Sequence, residues 1–347
     1  MCSPVFLSVT QEQGPGPFSG GFWGFRPYLY IMLTNSQAFY QLIKQLQPLY
    51  DTSEATAIAH LYLEFITGLG KMARLDKKDT PFTKRQQDMF DSKSKDLLKG
   101  KPIQYVTGSA WFMGREFLVN ENVLIPRPET EELVQWVIDE VKILNPKSNT
   151  QNTDPQFQIP KLRILDIGSG SGCISISLLR LLPSSIVTCA DISHDALDTL
   201  RTNIQWVLTE AEKQKSADNI RLLELDFLDE TARNKELGRY DIIISNPPYI
   251  PYKEKSKLHD NVTKYEPTIA LFVPDNDPLV FYRAIAEFGK SHLRKEGQIY
   301  CELDAAHAEA CKQLLESAGY TNVELKKDMN GKWRMLKCSI VNQESTL

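Results

Sequence analysis

The chain has 347 residues, of which 42% are hydrophobic and 24% are charged, and its formal net charge is −4 at pH 7. This composition is ordinary for a globular protein and allows one large domain plus a smaller one. The slightly acidic balance does not favour a nucleic-acid substrate, because nucleic-acid-binding proteins usually carry a basic surface. No apolar run approaches the length of a membrane span, and the five histidines and six cysteines show no metal-binding spacing. We therefore expect neither a membrane segment nor a bound metal.

Residues 1–33 form an irregular N-terminal extension rich in Gly, Pro, Phe and Tyr, with one arginine, Arg26, and one acid, Glu12. Mitochondrial presequences are rich in arginine and serine and poor in acids, and only the last property holds well here. Two interpretations stay open. The extension is a possible targeting segment, or the protein starts at Met32.

Residues 34–101 are predicted to form a small helical domain. Apolar side chains recur at helical spacing over 35–70, and Pro48 divides this stretch into two helices. A third, charged helix is predicted over 83–98. The domain therefore consists of short helices with one apolar face each.

Residues 102–126 alternate like strands, with Gly108 and Gly114 as candidates for turns. We expect a β-hairpin here that links the helical domain to the rest of the chain. An amphipathic helix is predicted over 129–141, and the acids in its first turn suit the helix dipole.

Residues 127–347 are predicted to form an α/β domain. A polar segment at about 145–160 is crowded with Ser, Asn, Thr and Pro, which is typical of a surface loop. Beyond it, short apolar runs alternate with helical segments, which favours a mostly parallel sheet. The last two runs, 323–325 and 333–341, look like a closing pair of strands.

The first strand of the α/β domain leads into a glycine-rich turn. Residues 163–172 read Arg-Ile-Leu-Asp-Ile-Gly-Ser-Gly-Ser-Gly, and a helix is predicted from Cys173 onward. Gly168, Gly170 and Gly172 allow a tight turn and let a ligand approach the backbone. The spacing is not the full Gly-x-Gly-x-x-Gly fingerprint of dinucleotide-binding proteins, so this turn alone is weak evidence.

The next two strands end in acids. Asp191 follows the run 186–190, roughly twenty residues beyond the glycines, where an acid can accept both hydroxyls of a ribose. Asp226 and Phe227 follow the run 220–225, where they can bind an adenine amino group and cover its ring. Each acid taken alone fits a helix N-cap equally well. Together they favour a ligand site, because the carboxyl ends of parallel strands meet at one edge of the sheet.

The fourth strand, over 240–245, ends in Asn246-Pro247-Pro248-Tyr249. The two prolines donate no backbone hydrogen bond, so they end the strand and begin a rigid turn. We predict that the Asn246 side-chain oxygen and the Pro247 carbonyl accept both hydrogens of a planar NH2 group, while Tyr249 packs on its plane. An NH2 group held in this way can be directed toward an electrophile.

These motifs resemble those of the class I S-adenosylmethionine-dependent methyltransferases. More closely, they resemble the HemK/PrmC family, which methylates the side-chain amide of a glutamine in peptide-chain release factors. The likeness covers about residues 100–340. It rests on segments that stand in the family's order, namely 102–108 (Pro-Ile-Gln-Tyr-Val-Thr-Gly), 123–131 (Val-Leu-Ile-Pro-Arg-Pro-Glu-Thr-Glu), 246–251 (Asn-Pro-Pro-Tyr-Ile-Pro), 265–267 (Tyr-Glu-Pro) and 328–334 (Asp-Met-Asn-Gly-Lys-Trp-Arg).

The resemblance implies a Rossmann-like α/β methyltransferase domain over 127–347, with a mostly parallel sheet and an antiparallel closing strand. It implies that the helical domain, 34–101, recognises the substrate and that 102–126 is the linking hairpin. S-adenosyl-L-methionine is the implied cofactor. Its implied binding residues are Gly168, Ser169, Gly170, Gly172, Asp191, Phe227 and Asn246. The implied substrate-binding residues are Asn246, Pro247, Pro248 and Tyr249, and the catalytic ones are Asn246, Pro247 and Tyr249.

The implied reaction is N5-methylation of the glutamine in the Gly-Gly-Gln motif of a class I release factor, which is then the protein partner. One alternative is an amino methyltransferase that acts on adenine or guanine in nucleic acid, which the acidic charge disfavours. Another is an inactive methyltransferase-fold scaffold, in which damage at Gly168, Asp191 or Asn246 is expected. Eukaryotic members of this type resemble the organellar enzyme, so a mitochondrial location is expected, with the cytoplasm as the alternative.

Overall fold

The computed structural model describes residues 32–144, 161–216 and 218–340. The predictions for the N-terminal extension up to residue 31 and for the polar loop at 145–160 therefore lie outside the described residues. The helical part of the chain contains α1 (Asn35–Leu46), α2 (Thr52–Thr67), α3 (Lys71–Asp76), α4 (Lys84–Leu97) and α5 (Ile103–Thr107). A hairpin of β1 (Ser109–Phe112) and β2 (Arg115–Leu118) follows.

The rest of the described chain alternates strands with helices. In chain order its elements are α6 (Pro128–Leu144), β3 (Arg163–Ile167), α7 (Cys173–Leu181), β4 (Ile186–Asp191), α8 (His194–Val207), α9 (Glu210–Ser216), β5 (Ile220–Glu224), α10 (Glu230–Glu236), β6 (Tyr240–Ser245), β7 (Ile250–Pro251), a 3-10 helix (Tyr252–Lys257), α11 (Asp260–Tyr265), α12 (Thr268–Leu271), β8 (Phe272–Val273), α13 (Val280–His292), β9 (Leu293–Glu302), a second 3-10 helix (Ala305–His307), α14 (Ala308–Ser317), β10 (Tyr320–Lys327) and β11 (Trp333–Ile340).

The helices of the N-terminal part start at the residues that the sequence marks for capping. Thr34 begins α1 in a capping box with Gln37, and Thr83 begins α4 in the same way with Gln86. The apolar faces of α1, α2 and α4 pack into one core, in which the Tyr62 hydroxyl donates to a backbone carbonyl of α4. The short helix α3 was not predicted from the sequence pattern.

The strand prediction is wrong for the first residues of the segment 102–126. Residues Ile103–Thr107 form the helix α5, which starts after Pro102 and ends at Gly108 with a φ of +81°. Proline suits the first turn of a helix, and glycine suits its left-handed end. Ile103 and Val106 are buried against the helical core, so tertiary packing overrides the strand preference of their β-branched side chains.

The hairpin is shorter than predicted and covers residues 109–118. Met113 and Gly114 form its two-residue turn with φ values of +48° and +71°, the conformation that matches the twist of a hairpin. Phe112 and Phe117 bury their rings in the core of the α/β part. Asn203 of α8 receives the Leu118 N–H at 2.7 Å and donates to the Leu118 carbonyl at 2.9 Å. The hairpin is therefore anchored to the sheet domain.

The central sheet has seven strands in the order β10-β11-β9-β6-β3-β4-β5. Strands β9, β6, β3, β4 and β5 are parallel, and β11 is antiparallel to both β9 and β10. Successive residues of β3, Ile164 and Leu165, belong to apolar clusters on opposite faces of the sheet. Helices cover both faces, as a parallel sheet requires. The predicted mostly parallel sheet with an antiparallel closing strand is confirmed.

Candidate functional site

A cavity of about 300 Å³ lies at the carboxyl ends of the parallel strands. Residues at the ends of β3, β4, β5 and β6, or just beyond them, line one side of it. They are Gly168, Ser169, Gly170, Asp191, Asp226, Phe227, Asn246, Pro247 and Pro248. Arg127, in the segment that leads into α6, and Thr130, in the first turn of α6, also line it. This is the edge at which open α/β sheets bind their ligands.

The glycine turn is held against Asp191. The Gly170 N–H donates to Asp191 Oδ2 at 2.8 Å, and the Ser193 N–H donates to Oδ1 at 2.9 Å. Burial raises the pKa of this carboxyl, and the backbone N–H groups act against that rise. Each carboxylate oxygen has a further lone pair, so the side chain can also accept from a pair of ligand hydroxyls.

Gly172 lies outside the cavity lining. Its φ is +79°, and a Cβ atom there would lie 2.6 Å from Leu200 Cγ and 3.2 Å from Ile176 Cδ1. The absence of a side chain lets α7 pack closely against α8. Close packing therefore explains the glycine at this position without a ligand contact.

The turn also carries polar atoms that need a partner. Ser169 Oγ is buried in the cavity lining and has no hydrogen-bond partner among the described residues. Two residues before the turn, burial raises the pKa of Asp166 to about 7. Its Oδ2 accepts from Ser175 Oγ at 2.5 Å, while its Oδ1 has no partner within the described chain. Buried polar groups in native proteins are almost always paired, so these atoms indicate a polar ligand or ordered water.

Phe227 lines the cavity, but its side chain is only 5% exposed. Its ring packs edge-on against Phe288 with centroids 5.4 Å apart, which leaves little surface for a stacked base. Ile192 and Leu228 also line the cavity and are 45% and 38% exposed. The sequence reasoning missed both, although each lies one or two residues beyond an acid that follows a strand.

Asn246 lines the cavity. Its Nδ2 donates to Thr130 Oγ1 at 3.1 Å, and its Oδ1 accepts no hydrogen bond from the described residues. Pro247 and Pro248 line the cavity beside it, as predicted for the substrate side of the site. Tyr249 lies outside the lining, where its ring packs against the apolar core and burial raises its pKa.

Behind this turn lies a buried acid that the sequence reasoning missed. Glu302 ends β9, and because Ser245 of β6 pairs with Cys301, the next residues, Asn246 and Glu302, follow side by side. Glu302 Oε2 accepts from Thr130 Oγ1 at 2.6 Å, and Oε1 lies 3.3 Å from the Tyr249 hydroxyl. Burial raises the pKa of Glu302 to about 7. The available signal was an acid at the end of a further parallel strand.

An ion pair joins two of the segments on which the family resemblance rests. Arg127 Nη2 lies 2.5 Å from Glu266 Oε1, and the Ile125 N–H donates to the other oxygen at 3.3 Å. The Glu266 side chain is almost fully buried, so the pair fixes the segment that leads into α6. This places Thr130 beside Asn246.

The described residues contain no group of three or more His, Cys, Asp or Glu side chains arranged to hold a metal ion. They also contain no helix that is long and apolar enough to cross a membrane.

Comparison with known proteins identifies the family. Residues 37–108 match the model of the PrmC N-terminal domain, and residues 153–264 match that of the methyltransferase small domain. The release factor glutamine methyltransferase of Flavobacterium psychrophilum is 39% identical over 298 residues, which cover 86% of this chain and 96% of the relative. This chain belongs to the HemK/PrmC family. A second relative of the same name, from Bacteroides thetaiotaomicron, is 38% identical over 293 residues, with 84% and 95% covered. The family has the class I methyltransferase fold that the sequence predicted.

S-adenosylmethionine is the cofactor of this HemK/PrmC member, and the residues around the cavity fit it. Asp191 has acceptor capacity for ribose hydroxyls, and the unpaired Ser169 hydroxyl can bond a polar group of the cofactor. Ile192 and Leu228 offer apolar surface for a flat purine ring. These groups of the cavity therefore fit the nucleoside part of S-adenosylmethionine.

Proposed function

We propose that this protein methylates the N5 side-chain nitrogen of the glutamine in the Gly-Gly-Gln motif of a class I peptide chain release factor. The observation that carries the proposal is Asn246, which lines the cavity that fits the cofactor and whose Oδ1 accepts no hydrogen bond from the described residues. The relatives named release factor glutamine methyltransferase support it, because they align with this chain over nearly their whole length.

The acceptor nitrogen is a poor nucleophile, because the lone pair of an amide is delocalised into its carbonyl. S-adenosylmethionine supplies a methyl group activated by a sulfonium. Asn246 Oδ1 and the Pro247 carbonyl would accept the two amide hydrogens, orient the nitrogen, and stabilise the positive charge that develops on it. S-adenosylmethionine would supply the methyl group and leave as the neutral thioether, and the methylated amide would lose one of its two hydrogens to solvent.

The two rival functions receive less support. An amino methyltransferase for nucleic acid would use the same turn, but the matched relatives are named for a protein substrate and the net charge of this chain is −4. An inactive scaffold would be expected to show damage at its binding residues. Gly168, Asp191 and Asn246 are all retained and all line the cavity.

The proposal is tested by mass spectrometry of a class I release factor after incubation with the protein and S-adenosylmethionine. We expect one added methyl group on the peptide that contains the Gly-Gly-Gln motif, with fragment ions that place it on the glutamine. The Asn246→Ala variant is the matched control and should leave that peptide unmodified over the same time. A methyl group on another residue, or none on the release factor, would contradict the proposal.

We also propose that the helical domain and the hairpin bind the release factor. The support is Trp111, which is 69% exposed on the hairpin, since aromatic side chains are enriched where proteins bind each other. We expect Trp111→Ala to raise the KM for the release factor by about tenfold and to leave S-adenosylmethionine affinity unchanged. Trp206→Ala removes another exposed tryptophan, from α8, and should alter neither quantity. Equal effects of the two variants would contradict this proposal.

The release factor that the protein serves is proposed to be the mitochondrial one. The support is the N-terminal extension of residues 1–33, which carries a single acid. A fusion of these residues to a fluorescent protein should be imported into mitochondria. A fusion that stays in the cytoplasm would favour the cytoplasmic alternative.

A further inference from the structure

A chain of buried polar groups runs behind the acceptor turn. Asn246 Nδ2 lies 3.1 Å from Thr130 Oγ1, Thr130 Oγ1 lies 2.6 Å from Glu302 Oε2, and Glu302 Oε1 lies 3.3 Å from the Tyr249 hydroxyl. Thr130 and Glu302 are each 2% exposed. Water therefore has little access to the inner part of this chain, and each group depends on its neighbours for hydrogen bonds.

When Glu302 is ionised, its carboxylate sets the direction of the hydrogen bonds in this chain. A carboxylate has no hydrogen to give, so the single Thr130 hydroxyl hydrogen points to Glu302. Thr130 Oγ1 can then only accept from Asn246, and it must face the NH2 end of that amide. The oxygen end is left for the cavity, where an acceptor is needed for a substrate NH2 group.

The opposite orientation of the amide breaks this pattern. With Asn246 Oδ1 facing Thr130, the hydroxyl hydrogen would have to turn away from Glu302 or leave two oxygens facing each other without a hydrogen. A buried acceptor that loses its donor is costly, which disfavours the turned amide by roughly tenfold to a hundredfold. The turned amide would also present an NH2 group to the NH2 group of the substrate.

An ion pair with Arg334 does not by itself account for the presence of a buried acid at Glu302. Arg334 lies near enough for its charge to lower the pKa of the acid, but its Nη1 donates to the Leu303 carbonyl and its Nε lies 3.5 Å from Asp328. The two Glu302 oxygens face the hydroxyls of Thr130 and Tyr249 instead. The Tyr249 contact is the longer one, so we assign the main effect to Thr130.

We propose that Thr130 and Glu302 are positioning residues that fix the Asn246 amide with its oxygen toward the substrate nitrogen. This inference rests on the proposed function. It assigns a role in catalysis to two side chains that do not need to touch the reacting atoms, and it connects the segment at 123–131 to the reaction.

The test compares two substitutions of Thr130 that differ in the hydroxyl. Thr130→Val keeps the shape of the side chain and removes the hydroxyl, while Thr130→Ser keeps the hydroxyl and removes the methyl. We expect Thr130→Val to lower kcat for release factor methylation by roughly tenfold to a hundredfold, with KM for the release factor and calorimetric Kd for S-adenosylmethionine within about threefold. Thr130→Ser should keep kcat within about threefold of the wild type.

The outcomes separate this inference from the proposed function. If the wild type methylates the release factor and Thr130→Val keeps its kcat, the inference is wrong and the proposed function stands. Equal loss in Thr130→Ser and Thr130→Val would also overturn it, because packing rather than the hydroxyl would then matter. A wild type that leaves the release factor unmodified would overturn both. Unchanged binding of S-adenosylmethionine shows in each variant that the domain is folded.

Discussion

The cavity has two sides that place their polar groups by different means. On the cofactor side, which comprises Gly168 to Gly170 and Asp191, one turn and one adjacent strand end hold each other through backbone N–H groups. On the acceptor side, Asn246 donates to Thr130, which in turn donates to Glu302, and these two partners come from distant parts of the chain. The cofactor side is thus local in sequence, and the acceptor side is assembled by the fold.

The two buried carboxyls near these sides show the same contrast. Burial raises the pKa of both Asp166 and Glu302 to about 7. Asp166 has one oxygen without a partner among the described residues. Both oxygens of Glu302 face protein hydroxyls. The described residues therefore satisfy Asp166 only in part, whereas they hold Glu302 through both of its oxygens.

The largest effect is expected for Asn246→Ala, which removes the side-chain amide of the acceptor side and leaves the residues of the cofactor side unchanged. Turnover should fall by roughly a hundredfold to a thousandfold, the scale of one lost preorganised polar contact. Calorimetric Kd for S-adenosylmethionine should change by no more than about threefold. Loss of cofactor binding with normal turnover at saturation would show that we have assigned Asn246 to the wrong side.

The opposite substitution is Asp191→Ala, which removes the carboxylate that holds the glycine turn. We expect Kd for S-adenosylmethionine to rise by roughly tenfold to a hundredfold, because hydrogen bonds to charged groups are lost. At saturating cofactor, kcat should stay within about threefold of the wild type. Asp191→Asn keeps one acceptor oxygen, so its Kd for S-adenosylmethionine should lie between the values of the wild type and of Asp191→Ala. An unchanged Kd would remove Asp191 from the cofactor side.

A third prediction separates ligand binding from packing at the glycine turn. Gly172→Ala places a methyl group 2.6 Å from Leu200 Cγ and also strains a positive φ. Denaturant unfolding should show a loss of roughly 2–4 kcal/mol, from overpacking and backbone strain together. Gly319→Ala strains a φ of +93° but has no atom of the described residues within 4 Å, so it should cost only about 1–2 kcal/mol. Equal losses would mean that the close contact between α7 and α8 is unimportant.

The smallest predicted effect is a pH dependence on the acceptor side. Burial raises the pKa of Glu302 to about 7, so the acid is ionised above that pH and gains a proton below it. The protonated acid can donate to Thr130 and release the amide of Asn246. Besides burial, the groups that influence this pKa are Thr130, Tyr249, Arg334 and Glu129. Because the ionised fraction of Glu302 falls about tenfold from pH 8 to pH 6, we expect kcat to fall about tenfold over the same range.

Glu302→Gln is the control for that profile, because a glutamine does not titrate. The variant should have a lower kcat at pH 8 and a nearly flat profile down to pH 6. If the variant shows the same fall as the wild type, another group such as Asp166 or a group of the substrate controls the pH dependence.

The features of the fold and the site that depend on residues close together in the sequence could be predicted from it. The alternation of strands and helices gave the parallel sheet, and the positions of Gly168, Asp191 and Asn246 after strands placed them at the cavity. The helix Ile103–Thr107 could not be read from its β-branched residues, because burial against the helical core decides its conformation. Local pattern alone therefore misjudged the start of the hairpin.

The contacts between Asn246, Thr130 and Glu302 could not be predicted for a different reason. Thr130 and Glu302 are 172 residues apart in the chain, and Glu302 lies beside Asn246 because β6 pairs with β9 in a register that no local pattern specifies. Glu302 lies at the carboxyl end of β9, the fifth parallel strand, where the reasoning that found Asp191 would also have found it. Thr130 lies in the segment at 123–131, which carried the family resemblance but no chemical argument.

The most direct test of the central claim is transfer of radiolabelled methyl from S-adenosylmethionine by the purified protein. One reaction contains a class I release factor, and a parallel reaction contains a copy whose Gly-Gly-Gln glutamine is replaced by alanine. We predict label on the first and none on the second. Equal label on both, or label that appears only on added DNA or RNA, would contradict methylation of that glutamine.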